Sequence, residues 1–146
     1  ASAAVTAATL AGRLNDRTVF STVDLLPSLC ALANATIPAE VAEKLDGEDL
    51  SPALTGGLPV RKKPVFWEYG RNTNSFAYPK EPYHRSPSLA MREGEWKLLI
   101  NSDGTGAELY DVTADPKETS NLAEKHPALT RRMSQAALAW RRSWPE

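Results

Sequence analysis

Apolar positions recur with helical spacing near the start of the chain. Val19 and Phe20 begin the stretch, and a period of 3.6 residues then predicts a helix from about Val23 to Ala33. Its main apolar face consists of Val23, Leu26, Leu29, Cys30 and Ala33. Because Leu25 and Leu32 lie off that face, the helix is apolar on more than one side and is expected to pack on two faces.

A second pattern, with a period of two and many aromatic or β-branched side chains, predicts strands in the second half of the chain. Pro64–Tyr69 forms one strand, and Ser88–Arg92 and Glu95–Asn101 flank a hairpin turn at Glu93-Gly94. Glu108–Val112 forms a further strand. Consecutive strands joined by short turns pair antiparallel, so we expect a sheet of about four strands.

A long amphipathic helix is predicted near the end of the sequence, from His126 or Pro127 to about Ser143. Its apolar stripe consists of Leu129, Met133, Ala136, Ala137, Trp140 and Trp144. Pro127 suits a first helical turn, and Pro145 suits a position after the last one. The pattern therefore predicts an α+β fold, in which a small antiparallel sheet is packed by this helix and an additional helical segment lies N-terminal to it.

Length and charge narrow the class of protein. The chain has 146 residues with 17 basic and 18 acidic side chains, and its formal net charge is −1. This size suits one domain, and the balanced charge predicts neither nucleic acid nor a membrane as a partner. The single cysteine, Cys30, is expected to be a buried thiol. The alanine-rich first residues lack a basic region and a continuous apolar core, so no signal peptide is expected.

The longest irregular segment is Gly70–Pro87, and it is the part of the sequence where a binding function is a reasonable alternative to a purely structural role. Aromatic and hydrogen-bonding side chains are concentrated in and beside it, and the candidate binding residues are Trp67, Tyr69, Arg71, Tyr83, His84 and Arg85. Such a mixture suits a sugar ring on an aromatic face, with a sulfate or carboxylate bound by arginine. The alternative is that the two residues before the loop are ordinary sheet residues and that the arginines are solvated.

Acidic and histidine side chains give little basis for a metal centre or a catalytic triad. The carboxylates of Asp46–Asp49 and Asp111–Asp115 lack the alternating ligands of a calcium loop and suit turns and caps better. His84 and His126 are far apart in the sequence, and His126 precedes a helix. Neither a zinc site nor a Ser–His–Asp triad is therefore predicted.

Four segments occur in an order that is typical of one protein family. They are Ser21–Leu29 (STVDLLPSL), Leu45–Leu50 (LDGEDL), Ser88–Leu99 (SLAMREGEWKLL) and Glu108–Leu122 (ELYDVTADPKETSNL). In this order they resemble the C-terminal subdomain of type I, formylglycine-dependent sulfatases of the arylsulfatase A or N-acetylgalactosamine-6-sulfatase kind. The region of resemblance is residues 19–146, whereas residues 1–18 form a leader outside it.

The resemblance implies a chemistry whose residues are missing from this chain. The family's nucleophile is a cysteine, or a serine in its place, in Cys-x-Pro-x-Arg that becomes formylglycine, and a Ca²⁺ ion neutralises the sulfate. Cys30 is followed by Ala-Leu-Ala-Asn, which does not match, and the family's calcium ligands precede the matching region. We therefore expect no catalytic residue, metal or cofactor in this chain, with sulfate-ester hydrolysis belonging to the parent protein.

Three functions remain open at this point. The first is a part of a sulfatase-like hydrolase that supplies structure and the wall of the substrate cleft, in a family whose members are often exported. The second is a stand-alone module that self-associates or binds carbohydrate, and the third is a minimal hydrolase with weak activity of its own. A homodimer is expected, because Phe20, Leu25, Leu26, Leu29 and Leu32 exceed what one small sheet and one helix can cover.

Overall fold

The computed structural model describes residues 12, 14–69 and 79–144, and the backbone only of Tyr83. In chain order, the described elements are a 3₁₀ turn (Thr22–Asp24), α1 (Leu25–Leu32), α2 (Ala39–Ala42), α3 (Ser51–Leu54), β1 (Val65–Glu68), a 3₁₀ turn (Pro82–His84), β2 (Leu89–Glu93), β3 (Trp96–Ile100), β4 (Glu108–Asp111) and α4 (Pro127–Arg142). The expected α+β class with four antiparallel strands is confirmed.

The chain divides into two compact units, Ala1–Lys63 and Pro64–Glu146. The first holds helices α1 to α3, and the second holds the sheet and α4. The boundary at residue 18 between a leader and the region of resemblance stays a prediction, since most of the leader lies outside the described residues. In the part of the chain that is described, no helix combines the length and the apolar character needed to cross a bilayer.

The sheet is a meander in which each strand pairs antiparallel with the next one along the chain. The β2–β3 hairpin turns at Gly94-Glu95, with Glu93 paired to Trp96, so the predicted turn at Glu93-Gly94 is wrong by one residue. Gly94 has a φ of 57°, which favours glycine at the first central position of a tight hairpin turn.

Helix α4 packs on one face of the sheet and closes its core, as predicted. Met133 and Ala137 of the helix are buried against fully buried strand residues, which are Leu89, Met91, Leu98, Ile100 and Leu109. Phe66 of β1 stacks on Trp140, with the ring centroids 5.2 Å apart. Trp144 is 48% exposed, so the last member of the predicted stripe contributes little to the core.

Helix α1 is oriented with its polar side inward, which the hydrophobic pattern did not predict. Asp24 and Ser28 are fully buried and accept hydrogen bonds from the backbone N–H groups of Glu48 and Leu50, at 3.0 and 2.9 Å. Asp24 also pairs with the guanidinium of Arg61, whose side chain is only 4% exposed. Buried backbone donors need acceptors, so the segment after α2 docks on the polar side of the helix.

The leucine side of α1 is left outside this contact. Leu25, Leu26, Leu29 and Leu32 are between 42% and 54% exposed, so the described residues do not supply the second packing surface that the pattern predicts. Cys30 is half-buried, which also corrects the expectation of a buried thiol.

Gly47 allows the segment after α2 to approach α1 closely. A Cβ atom at this position would lie 1.9 Å from the Val23 carbonyl oxygen, a distance that no side chain can adopt without moving the backbone. Glycine at this position therefore lets the backbone donor of Glu48 reach the Asp24 carboxylate.

Candidate functional site

The face of the sheet opposite α4 carries aromatic and charged side chains. Trp67, Ala90 and Leu99 form one row across three strands, because Trp67 pairs with Ala90 and Ala90 pairs with Leu99. Arg92 and Lys97 lie opposite each other in the next row. These positions alternate with the core positions of the same strands, so the strand period brings them to one side of the sheet.

A groove of about 520 Å³ opens on this face. Trp67 and Tyr69 line one part of it, whereas Arg92, Lys97 and Glu118 line another. Further lining side chains that are apolar include Pro87, Ala90, Leu99, Val112 and Pro116. A mainly apolar concavity of this size with a few polar groups is the usual form of a small-molecule site.

Two of the six candidate binding residues lie in the groove. Trp67 and Tyr69 are 44% and 39% exposed, so both rings can contact a ligand. The Tyr69 hydroxyl donates to the Ser86 carbonyl oxygen, and it also lies 3.3 Å from the Ser86 hydroxyl. These contacts fix the ring and connect the end of β1 to the segment that precedes β2.

The other four candidate binding residues either do not line the groove or lie, in whole or in part, outside the described residues. Arg85 donates from Nε to the Pro79 carbonyl oxygen at 2.9 Å and from Nη2 to that of Lys80 at 2.6 Å, so its guanidinium stabilises the loop. His84 is exposed in the second 3₁₀ turn, and neither it nor Arg85 lines the groove. Arg71 lies outside the described residues, and of Tyr83 only the backbone is described.

The charged part of the groove was missed by sequence reasoning. Lys97 Nζ lies 2.6 and 2.8 Å from the two carboxylate oxygens of Glu118, and both side chains are less than one-third exposed. Glu118 has a φ of 54°, which is uncommon for a residue other than glycine. The available signal was the position of Arg92 and Lys97 on either side of the hairpin turn, since such residues face each other across the strands.

Tyr110 lies opposite Lys97 on β4 and is buried. Its hydroxyl donates to the Glu108 carboxylate at 2.8 Å. Burial, reinforced by that carboxylate, raises the pKa of Tyr110 to about 12. A phenol with this pKa stays protonated at neutral pH, so Tyr110 acts as a hydrogen-bond donor and not as a base or nucleophile.

The carboxylates considered for a metal site act as turn caps. Asp111 accepts from the N–H of Ala114, and Asp115 accepts from those of Ser120 and Thr119. The hydrogen bond from Ser120, aided by those from Thr119, holds the pKa of Asp115 below its usual range. Within residues 12, 14–69 and 79–144, no group of three or more His, Cys, Asp or Glu side chains is arranged to hold a metal ion.

The four segments that carry the resemblance are joined in pairs by hydrogen bonds. In the second unit, the third and fourth segments pair as β3 and β4 with Leu98 opposite Leu109, and Lys97 Nζ lies 2.6 Å from a carboxylate oxygen of Glu118. In the first unit, the corresponding link runs from Glu48 to Asp24. Each pair of segments therefore forms one local structure.

No family model matches the chain. The chain is 36% identical over 104 residues to a Delta 4,5-hexuronate-2-O-sulfatase of Bacteroides thetaiotaomicron. The matched region covers 70% of this chain and 19% of that protein. The chain is also 35% identical over 111 residues to arylsulfatase A of Homo sapiens, and this match covers 75% of this chain and 19% of that protein. A solved structure described under the metabolism of multiple glycosaminoglycans by Bacteroides thetaiotaomicron matches with a TM-score of 0.61 at 25% identity, covering 82% of this chain and 24% of that one.

These likenesses extend over only part of each relative. The chain spans about a fifth of the length of the curated relatives that it matches. It corresponds to a partial, C-terminal-like region of sulfatases, in agreement with the resemblance of the four segments.

Proposed function

We propose that this chain is part of a sulfatase-like hydrolase and that the open face of its sheet supplies a wall of the substrate cleft. Hydrolysis of a sulfate ester is then the activity of the whole protein, to which this part adds structure and binding contacts. The observation that carries the proposal is the groove, where two exposed aromatic rings share a concave surface with Arg92 and Lys97.

The aromatic wall suits a sugar ring. Trp67 belongs to β1 and Tyr69 follows it directly, so the sheet positions both rings before a ligand arrives. The hydrogen bond from Tyr69 to Ser86 restricts the second ring further. Rings that are already ordered lose little conformational entropy on binding, which favours affinity for the apolar face of a saccharide.

The charged part of the groove suits an anionic substituent. The guanidinium of Arg92 lies beside the groove, with Nε 3.3 Å from the Gly94 carbonyl oxygen, and guanidinium groups bind sulfate or carboxylate through paired N–H donors. Lys97 adds a second positive charge, which Glu118 balances in the free chain. The Bacteroides relative is named for a 2-O-sulfate on a Delta 4,5-hexuronate, a sugar that carries both anions. We propose sulfated uronate saccharides as the ligand class.

Replacing Trp67 with alanine should weaken binding of a 2-O-sulfated Δ4,5-hexuronate disaccharide about tenfold or more, because the ring provides the main stacking surface. The unaltered chain, as one wall of a cleft, should bind with a Kd of about 1 mM. Two-dimensional NMR of ¹⁵N-labelled chain measures both affinities through the amides of Ala90 and Leu99, and the Trp67 indole gives a further signal in the unaltered chain. Trp144→Ala is the matched control, since Trp144 is 48% exposed against 44% for Trp67 and does not line the groove.

The same disaccharide without sulfate, and inorganic sulfate without sugar, separate the two parts of the groove. Shifts that map to the groove and weaken in Trp67→Ala support a saccharide-binding wall. Shifts elsewhere, equal losses in Trp67→Ala and Trp144→Ala, or no shifts at about 10 mM ligand would contradict it.

A further inference from the structure

Glu118 has a backbone conformation that glutamate rarely adopts. Its φ of 54° lies in the left-handed region, which glycine, asparagine and aspartate enter more readily than other residues. Strained positions of this kind are concentrated at functional sites. Glu118 also lines the groove, where it is the acidic side chain among the described lining residues. The backbone at this position favours another residue type, so the glutamate serves a purpose other than forming the turn.

The turn that contains Glu118 is held by other groups. The carboxylate of Asp115 accepts from the N–H groups of Thr119 and Ser120, at 2.7 and 2.9 Å. The Asp115 carbonyl oxygen accepts from the N–H of Glu118 at 3.0 Å. These three hydrogen bonds fix the backbone without using the side chain of Glu118. The carboxylate of Glu118 is therefore free to act in the groove.

This carboxylate neutralises one of the two cations in the groove. Its oxygens lie 2.6 and 2.8 Å from Lys97 Nζ, and the side chains of Lys97 and Glu118 are 27% and 29% exposed. Arg92 differs from Lys97, because none of the ion pairs among the described residues includes it. The guanidinium of Arg92 is thus the open cation of the groove, whereas the ammonium of Lys97 is already paired.

The balance of these charges decides which anions the groove attracts. Two positive side chains and one negative side chain leave one net positive charge, which a single anion of a ligand can neutralise. A further anion near Lys97 would meet the carboxylate of Glu118 as well as the ammonium, so attraction and repulsion largely cancel. A like charge beside a binding site is a common means of disfavouring the wrong ligand.

We propose that Glu118 is a specificity-determining residue that makes the groove select saccharides of low sulfate density. An anion of the saccharide binds at Arg92, and a further sulfate near Lys97 adds little affinity because Glu118 repels it. Without this carboxylate, Lys97 becomes a second open cation and attracts the further sulfate. The inference rests on the proposed function, since it defines which members of the proposed ligand class bind.

Titration with inorganic sulfate at constant ionic strength measures the effect of Glu118 without a saccharide. Glu118→Asn removes the carboxylate and introduces a residue type that suits the left-handed backbone. It should raise the affinity for sulfate about tenfold, because a repulsive unit charge roughly 6 Å from the bound anion is lost. Two-dimensional NMR of ¹⁵N-labelled chain measures this through the amides of Arg92 and Lys97, and unchanged signals elsewhere show that the fold is kept.

Two further variants complete the design. Glu118→Gln keeps the length of the side chain and should give the same gain in sulfate affinity. Glu95→Gln is the matched control, because it removes the same charge from an exposed residue that does not line the groove. It should leave the affinity for sulfate unchanged.

Uronate disaccharides of one skeleton with one and with three sulfates test the selectivity. The unaltered chain should bind both with affinities within about twofold, and Glu118→Asn should bind the more sulfated one about tenfold more tightly. Sulfate affinity that is equal or lower in the Glu118 variants, an equal gain in Glu95→Gln, or no sulfate-induced shift in the groove of any variant overturns the proposal. The proposed function fails separately if the disaccharides shift no groove residue while Glu118→Asn still binds sulfate more tightly.

Discussion

Replacing Asp24 with alanine is expected to destabilise the first unit by about 3–5 kcal/mol. The change leaves the guanidinium of Arg61 buried without its carboxylate, and it removes the acceptor of the Ser21 and Glu48 N–H groups. Removing one member of a buried ion pair is costly because the remaining charge keeps its desolvation penalty. A polar residue at the start of a helix thus becomes one of the most sensitive positions in the chain.

Amide hydrogen exchange is the measurement for Asp24→Ala. All four tryptophans of the chain follow Pro64, so their emission reports on the second unit and not on α1. Exchange at Glu48 and Leu50 should accelerate by about two to three orders of magnitude or reach the unprotected rate. The exposed Asp46 provides the control, and Asp46→Ala should leave exchange nearly unchanged. Equal protection in the two variants would mean that the ion pair does not hold the unit together.

Replacing Met133 with alanine is expected to cost about 2–5 kcal/mol in the second unit. Met133 is fully buried where α4 crosses the sheet, so the truncated side chain leaves a cavity among the strand residues. A small domain has only about 5–15 kcal/mol of stability, so this change removes a large share of it. Trp140→Ala should cost less, although its ring is larger, because Trp140 is only half-buried.

Urea unfolding followed by tryptophan emission measures the effect of Met133→Ala. The midpoint should fall clearly, whereas Arg131→Ala on the exposed side of the same helix should shift it little. If both variants unfold at the same urea concentration as the unaltered chain, α4 does not close the core in the way described.

The sheet and α4 were predictable because their signals are local. Periods of two and 3.6 residues report directly on which side chains face the core, and each of these elements has one apolar side. The hairpin turn was misplaced by one residue because Glu93 and Glu95 flank Gly94 symmetrically in the sequence. Pairing of Glu93 with Trp96 decides between the two registers, and that pairing depends on the whole sheet.

The orientation of α1 could not be predicted in the same way. A hydrophobic pattern treats the leucines as the core side and Asp24 and Ser28 as the solvent side. The groups that reverse this choice are the backbone donors of Glu48 and Leu50, which come 24 and 22 residues later in the chain. The order of side chains does not indicate where backbone N–H groups will be buried, so these donors are identified only in the folded structure.

The candidate site was predictable in its aromatic half. Trp67 and Tyr69 stand out by residue type, and their place at the end of β1 puts both in the groove. Arg92 and Lys97 were not among the candidate residues, because nothing in the strand pattern shows that this surface is concave. The role of His84 and Arg85 in binding stays a prediction.

Hydrolysis of 4-nitrophenyl sulfate by the purified chain, with Ca²⁺ present, tests whether the chain can catalyse sulfate-ester hydrolysis by itself. Cys30 is followed by Ala-Leu-Ala-Asn, which does not match the family's nucleophile motif, so we expect no release of 4-nitrophenol above the rate in buffer. Turnover that EDTA abolishes and that Cys30→Ala removes would show the opposite, namely that the chain carries the catalytic chemistry itself.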